Sequence, residues 1–285
     1  MYKLDEYTVS LLHFDDGFKD ETGKVWTTNG NPIVSSEQSK FGGKSLYLDG
    51  SSNLAISNLS DFDFNSGYFT IDWWEYRTNL SGYPTVFSIG DVDYQSIIVG
   101  HGNTFSTNDN KNVCYISSNG ASWNVMDAFL LGTIDLNTWN HFALVRNGNK
   151  FYGFKNGILS GQITSNDSFY LNNNIVSLGK VYKRAPYGFN GFIDEFRISK
   201  IARWTGDFDP KPVKKNCLLR ITMNDSSERE YELSISEVEA FITWCDRTVD
   251  TGEAYYVFDK AVGSQNSKEY LFFEKIISFE VIEIL

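Results

Sequence analysis

Trp139-Asn140-His141-Phe142-Ala143-Leu144-Val145-Arg146, then Asn147-Gly148-Asn149, then Lys150-Phe151-Tyr152-Gly153-Phe154-Lys155-Asn156-Gly157, is the stretch from which the fold can be read. The two Asn-Gly pairs supply residues that accept positive φ, as tight type I′ turns require. Strand-favouring residues run between them. Alternation places Trp139, His141, Ala143 and Val145 on one face of a strand, and Phe142 and Leu144 on the other. Both faces carry apolar groups, which predicts a strand inside a sandwich rather than on a one-sided sheet.

The pattern continues outward from this hairpin. Segments at 9–14, 44–49, 53–57, 68–76, 84–89, 95–100, 112–118 and 121–126 read as strands before it. Segments at 158–163, 174–179 and 191–198 do so after it. Turn residues separate them at short spacing, as in a sandwich or jelly roll. Aromatic residues make up 16% of the chain, with 16 Tyr and 22 Phe, and helix-period segments are nearly absent, so a mainly β protein is expected. The polar stretches 106–112 and 172–174 read as exposed loops.

The chain of 285 residues carries a net charge of −11. An acidic surface repels the phosphate backbone and anionic lipid, so neither nucleic-acid nor membrane partners are expected. Cys114, Cys217 and Cys245 form no CxxC pair, and an odd, sparse set is unlike a disulfide scaffold; folding in a reducing cytoplasm is expected. Met1 to Glu6 shows no basic region followed by an apolar stretch, so no signal peptide is expected. No apolar run is long enough to span a bilayer.

Asp209-Pro210-Lys211-Pro212-Val213-Lys214-Lys215 breaks the pattern. The expected organisation is a jelly roll over 1–210, a linker over 211–216, and a small α+β domain over 217–285. In the last, strands are expected at 217–223 and 231–235, with a turn at 224–227 between them. A helix follows, capped by Ser236 with Glu239 completing a capping box. Val238, Phe241, Ile242 and Cys245 recur at helical spacing and should pack on the small sheet. Segments 255–258 and 270–284 return to strand.

Five phrases in order and spacing carry a resemblance: Leu11-Leu12-His13-Phe14-Asp15-Asp16; Phe41 through Gly50, read Phe-Gly-Gly-Lys-Ser-Leu-Tyr-Leu-Asp-Gly; Phe69-Thr70-Ile71-Asp72-Trp73-Trp74; Trp139 through Arg146; and Gly191 through Lys200, leading to Ala202-Arg203-Trp204. Together they resemble the concanavalin A-like, laminin-G-type jelly-roll family over roughly residues 5 to 210. The resemblance implies two antiparallel sheets packed face to face, with the first and last strands adjacent. It also implies service in glycan binding and adhesion, or as a module of phage tail and other virion proteins. The last seventy residues look like a small C-terminal module of phage structural proteins.

The expected function is therefore a non-enzymatic, virion-associated phage protein. It would be made in the host cytoplasm, be extracellular after release, and bind a host-surface glycan, as a homo-oligomer within an assembly. The alternatives are a structural decoration or tail component that binds other virion proteins, and a carbohydrate-active hydrolase. Thr70-Ile71-Asp72-Trp73-Trp74-Glu75 lies where laminarinase-type glucanases carry Glu-x-Asp-x-x-Glu. Thr70 at the nucleophile position cannot form a glycosyl-enzyme, and a regular strand turns Asp72 and Glu75 to opposite faces. No catalytic set is assigned.

A sugar site needs aromatic faces plus polar groups for hydroxyls, and Tyr83, Trp123, Asn124, Tyr182 and Tyr187 are the candidates in expected loops. Asp15 and Asp20, together with Asp194 brought in by adjacent terminal strands, are candidates for a structural calcium site, because calcium takes carboxylate and turn-carbonyl oxygens. His13 and His141 fall in strands and read as hydrogen-bonded core residues.

Overall fold

The computed structural model describes the chain apart from residues 58–59, 66, 81–83, 91–94, 102–109, 171–174, 184–186, 212–215, 247–251, 263–264 and 284–285. It divides into two compact units, Met1–Pro212 and Val213–Leu285.

The first unit contains β1 (Thr8–Leu12), β2 (Thr27–Asn29), β3 (Ile33–Ser35), β4 (Ser45–Asp49), β5 (Asn53–Ile56), β6 (Phe69–Tyr76), β7 (Phe87–Gly90) and β8 (Gln95–His101). It continues with β9 (Lys111–Ile116), β10 (Met126–Thr133), β11 (Trp139–Asn147), β12 (Lys150–Lys155), β13 (Ile158–Thr164), β14 (Val176–Leu178) and β15 (Asn190–Ser199). One antiparallel sheet runs β13-β12-β11-β6-β15-β4-β3, with β1 paired to the far half of β15; the other runs β10-β9-β8-β7-β14-β5-β2. The architecture is a mainly β jelly-roll sandwich of two antiparallel sheets.

Period-two alternation builds the core. Ile71, Trp73, Phe142 and Leu144 from the eight-stranded sheet meet Phe87, Ile97, Val99 and Cys114 from the seven-stranded one, all fully buried. The two turns of the opening hairpin differ. Asn156 and Gly157 both take positive φ, as type I′ requires, whereas in the first turn only Gly148 does. The segment 121–126, expected as a strand, is a loop held by its own side-chain hydrogen bonds, and the strand starts at Met126. Sequence reading also missed the three-residue strands β2 and β3, too short for alternation to register.

The second face of β11 is the main departure. His141, Ala143 and Val145 are buried, and among the described residues of this unit a returning segment rather than a sheet covers them. Ala202, Trp204 and Phe208 from the segment after β15 cover Ala143, Val145, Tyr152 and Phe154. Trp204 and Phe208 stack with ring centroids 3.7 Å apart. The N-terminus closes the neighbouring patch. Tyr2 donates its backbone N–H to Glu195 at 2.6 Å and its hydroxyl to the Pro210 carbonyl at 2.9 Å.

The second unit contains β16 (Asn216–Met223), β17 (Glu228–Ser234), α1 (Ile235–Cys245), β18 (Tyr255–Val262), β19 (Gln265–Phe272) and β20 (Ile276–Glu283). A sheet of order β17-β16-β20 carries α1, and β18-β19 forms a hairpin. Val238 and Phe241 are buried against Leu219 and Ile221, and Tyr231 stacks on Phe258 at 4.0 Å. The helix begins at Ile235, so Ser236 lies within it rather than before it. The expected strand 270–284 is broken by a 3₁₀ turn at Phe273–Lys275.

Candidate functional site

The outer face of the seven-stranded sheet brings several of the candidate residues together. Residues alternating with the core strands turn Ile98, Val113 and Tyr115 outward, and two connections fold over them. From the β9–β10 loop, Trp123 packs on Tyr115 with ring centroids 5.4 Å apart and stays half-exposed. From the β14–β15 connection, Val181 and Tyr187 join the same cluster. That connection also carries Tyr182, which walls a cleft of about 520 Å³ with Lys24, Val25, Thr27, Ala55 and Ser57. Small residues on β2 and β5, Thr27 and Ala55, form its lining at the sheet. Lys24, held 3.1 Å from Asp61, is a nearby cation, and Lys183 Nζ stands 5.3 Å from the Tyr182 ring.

Asn124 serves differently. Its Nδ2 donates to Ser118 Oγ at 2.6 Å, and its Oδ1 accepts the Ser118 N–H at 3.1 Å. Asn119 Oδ1 accepts from the backbone of Ala121 and Ser122. These bonds close the loop that carries Trp123. Tyr83 lies outside the described residues.

The acids of the Thr70–Glu75 strand face opposite ways, and each is fully buried. Asp72 points outward beneath the terminal segments, where Arg197 Nε and Nη2 grip its two oxygens at 3.0 and 2.9 Å. His141 Nε2 stands 3.5 Å away, and the guanidinium lies 4.0 Å from the Tyr2 ring. Burial opposes the Asp72 charge, but Arg197 and His141 hold the carboxyl below its ordinary range. Burial also depresses the His141 imidazole. Glu75 points into the sandwich, where it accepts from Trp73 Nε1 at 2.8 Å and Asn112 Nδ2 at 3.3 Å and lies 2.9 Å from Arg77 Nε. Thr70 Oγ1 donates to the Ile201 carbonyl at 2.7 Å. A retaining hydrolase needs two carboxyls about 5 Å apart in one open cleft. Asp72 and Glu75 share none.

Two of the three expected calcium ligands, Asp20 and Asp194, are committed to protein donors. Asp20 is buried and accepts from Ser10 Oγ, Leu11 N, Thr22 N, Thr22 Oγ1 and Trp26 Nε1, at 2.5 to 3.3 Å. A carboxylate ringed by N–H and O–H donors has no lone pairs directed at a cation. Asp194 accepts the backbone N–H groups of Lys40, Phe41 and Glu195 at 2.7, 3.1 and 2.8 Å. Asp15 accepts from Lys44 N, and its carboxylate occupies the space a Cβ at Gly42 would need. Among the described residues no three acidic, His or Cys side chains gather as a metal site. The first and last strands are adjacent, as β1 and β15; Asp20 fastens the β1–β2 connection, and Asp15 and Asp194 both fasten the β3–β4 connection.

Sequence reading missed Glu195, the centre of this fastening. It sits in a β15 bulge at φ 49°, fully buried. It takes the Tyr2 N–H and, through Oε1, His13 Nδ1 at 2.8 Å. Burial works against the His13 charge, but Glu195 raises its pKa above the ordinary value. Burial pushes the Asp194 carboxyl up to about 7 against the pull of its backbone donors.

The comparisons agree with this architecture. Domain 4 of AbnA, a GH43 extracellular arabinanase from Geobacillus stearothermophilus solved with arabinotriose, superposes with a TM-score of 0.52 at 19% identity, covering 69% of this chain and 93% of that one. A botulinum neurotoxin type C structure, from work on cell entry dependent on two ganglioside molecules, gives 0.51 at 14% identity over 95% of this chain and 72% of that one. The botulinum neurotoxin DC binding domain, in complex with rat synaptotagmin II, gives 0.50 at 13% identity over 98% and 72%. At such identities the likeness shows the fold alone. No curated protein matches in sequence. The family model for the concanavalin A-like lectin/glucanases superfamily, of laminin G type, matches residues 48–205, and the chain belongs to that family.

Proposed function

We propose that the jelly roll is a non-enzymatic glycan-binding module whose site is the outer face of the seven-stranded sheet. The observation that carries this reading is the grouping of half-exposed Trp123 and Tyr187 in one cluster, with Tyr182 on the same connection walling the cleft of about 520 Å³. That volume suits a small-molecule site, and aromatic faces bordered by hydroxyl and amine groups suit a sugar. Two relatives at the level of fold support it: one was solved with arabinotriose, and the other comes from work on ganglioside-dependent cell entry. The setting we propose is a phage virion, where the module would adhere to a host-surface glycan. The Val213–Leu285 unit would support attachment or assembly, and the resemblance of that unit to phage structural modules is what favours this.

Glycan-array screening followed by calorimetry with the best ligand tests the binding reading. Saturable heat without released sugar is expected, with affinity at least tenfold weaker in Trp123→Ala and Tyr182→Ala. An array that retains no protein, or unchanged affinity in both variants, refutes it. A sugar-releasing activity would overturn the non-enzymatic part.

A further inference from the structure

The opposite outer face, that of the eight-stranded sheet, carries a feature that the cleft reading does not use. Four aromatic side chains lie directly across from one another on four adjacent strands. Trp139 on β11 pairs in register with Tyr76 on β6, Tyr76 with Phe192 on β15, and Phe192 with Tyr47 on β4. All four alternate with core positions and so point outward. Neighbouring ring centroids stand 5.8, 6.1 and 5.0 Å apart. The row crosses the strands at right angles over about 14 Å, three strand spacings.

Exposure differs along the row in an informative way. Tyr47, Tyr76 and Trp139 are half-exposed, while Phe192, 5% exposed, is wedged between the two tyrosines as a strut. One step along the same face toward the strand ends, Asn190 pairs with Asp49, and both are exposed. Partial burial opposes the Asp49 charge, but hydrogen bonds from Ser51 and Ser52 hold its carboxyl down at about 2, so an acceptor stands beside the rings at any ordinary pH. On the other side, the row ends against Trp74 and Phe41, where the terminal segments begin to cover the sheet.

We infer that this aromatic row is a second carbohydrate-binding surface, built for an extended, β-linked polysaccharide chain. Such a chain is a straight ribbon whose pyranose rings show C–H faces to aromatic rings and hydroxyls to their edges. The exposed rings of Trp139 and Tyr76 stand one strand spacing apart, roughly the length of one sugar unit, and Tyr47 stands two spacings beyond Tyr76 across the buried Phe192. The Asn190 amide and the Asp49 carboxylate meet the equatorial hydroxyls along one edge. A short or branched glycan would use only part of the row, whereas the cleft beside Tyr182 suits such a ligand. The module would therefore hold two different glycans on opposite faces.

Affinity electrophoresis of the full chain through gels containing hydroxyethyl cellulose or xylan tests this. Retardation of the wild-type protein is expected in at least one gel. Tyr76→Ala with Trp139→Ala should weaken it tenfold or more, and the conservative pair Tyr76→Phe with Trp139→Phe should retain it. Trp123→Ala, on the opposite face, should migrate like wild type here while losing its array ligand, so the two surfaces fail separately. If the double alanine variant does not fold, as judged by near-ultraviolet circular dichroism, Tyr47→Ser at the margin of the row gives the same readout. No retardation of the wild type in either gel, or retardation that survives loss of the row, overturns the inference.

Discussion

Removing the Arg197 guanidinium should be the most damaging single change to the outer face of the eight-stranded sheet. Asp72 beneath it is fully buried, and both its oxygens are held by Arg197, at 3.0 and 2.9 Å. His141, at 3.5 Å, is too far to replace that grip. Arg197→Ala therefore leaves a buried carboxylate without a counter-ion, a loss of about 3–5 kcal/mol. The guanidinium also packs 4.0 Å from the Tyr2 ring, which adds about 0.5–2 kcal/mol. Taking about 4 kcal/mol as the central figure, the jelly-roll transition should fall by roughly 8–16 °C. The double variant Asp72→Leu with Arg197→Met should recover most of this, because replacing both charges by apolar groups removes the desolvation cost along with the attraction. Acid should mimic the single variant. The folded Asp72 pKa is depressed, so its contribution is complete above the unfolded value, about 3.9, and disappears as the pH falls through the folded one. Scanning calorimetry and urea titration of the three proteins measure all of this. A loss below about 1 kcal/mol in Arg197→Ala, or a double variant less stable than the single, refutes the assignment of the pair as a buried, mutually dependent unit.

At higher pH the sign reverses. The raised pKa values of Asp194, about 7, and of His13 mean that the folded state holds both protons more tightly than the unfolded chain. Their stabilisation is present at low pH and is lost as the pH rises through the folded values, so melting temperature should decline from about pH 5 to 8, less steeply in Asp194→Asn. A flat profile in the wild type would contradict this. Gly157→Ala should loosen the covering segment: a Cβ there would meet the Phe208 carbonyl oxygen at 1.8 Å, and φ is +80°. A loss of more than about 1–2 kcal/mol, the backbone cost alone, is expected in urea titration. Chelator should leave the melting temperature unchanged, since Asp20 and Asp194 are committed to protein donors and no metal-binding cluster gathers among the described residues; a drop of several degrees would reinstate a metal.

The sandwich was legible because its signals are local. Period-two alternation in β6, β8, β11 and β15, and Asn-Gly turns that tolerate positive φ, are written within a few residues of one another. The strand expected at 121–126 failed for an equally local reason: Asn119 and Asn124 spend their amides on the loop backbone and on Ser118, a competition with strand pairing that apolar content does not reveal. Of the loop aromatics, Trp123, Tyr182 and Tyr187 come to lie on the seven-stranded face. The acids were a poor guide. Asp15, Asp20 and Asp194 have the composition of a calcium site, but carboxylates that fasten loops through backbone N–H groups have the same composition.

The apolar second face of β11 shows where sequence reasoning stops and why. Alternation reports that a face is buried, not what buries it. His141, Ala143 and Val145 suggested a sandwich interior, yet the cover is a single returning segment, pinned by Trp204, Phe208 and the Tyr2 hydroxyl. That cover also decides which part of the sheet a ligand can reach. Where it ends, between Trp74 and Tyr76 on β6, the aromatic row begins. The row joins positions 47, 76, 139 and 192 on four adjacent strands, with paired residues as many as 145 positions apart in the chain, and it exists only through their register. A one-residue slip of β6 would turn Tyr76 into the core and bring Glu75 out, exchanging a sugar-stacking surface for an acidic one. The pairing of Trp139 with Tyr76 and of Phe192 with Tyr47 therefore couples the fold to the proposed polysaccharide site directly: whatever selects the register of β6 between β11 and β15, with Trp73 and Ile71 locked in the core, selects the binding surface as well.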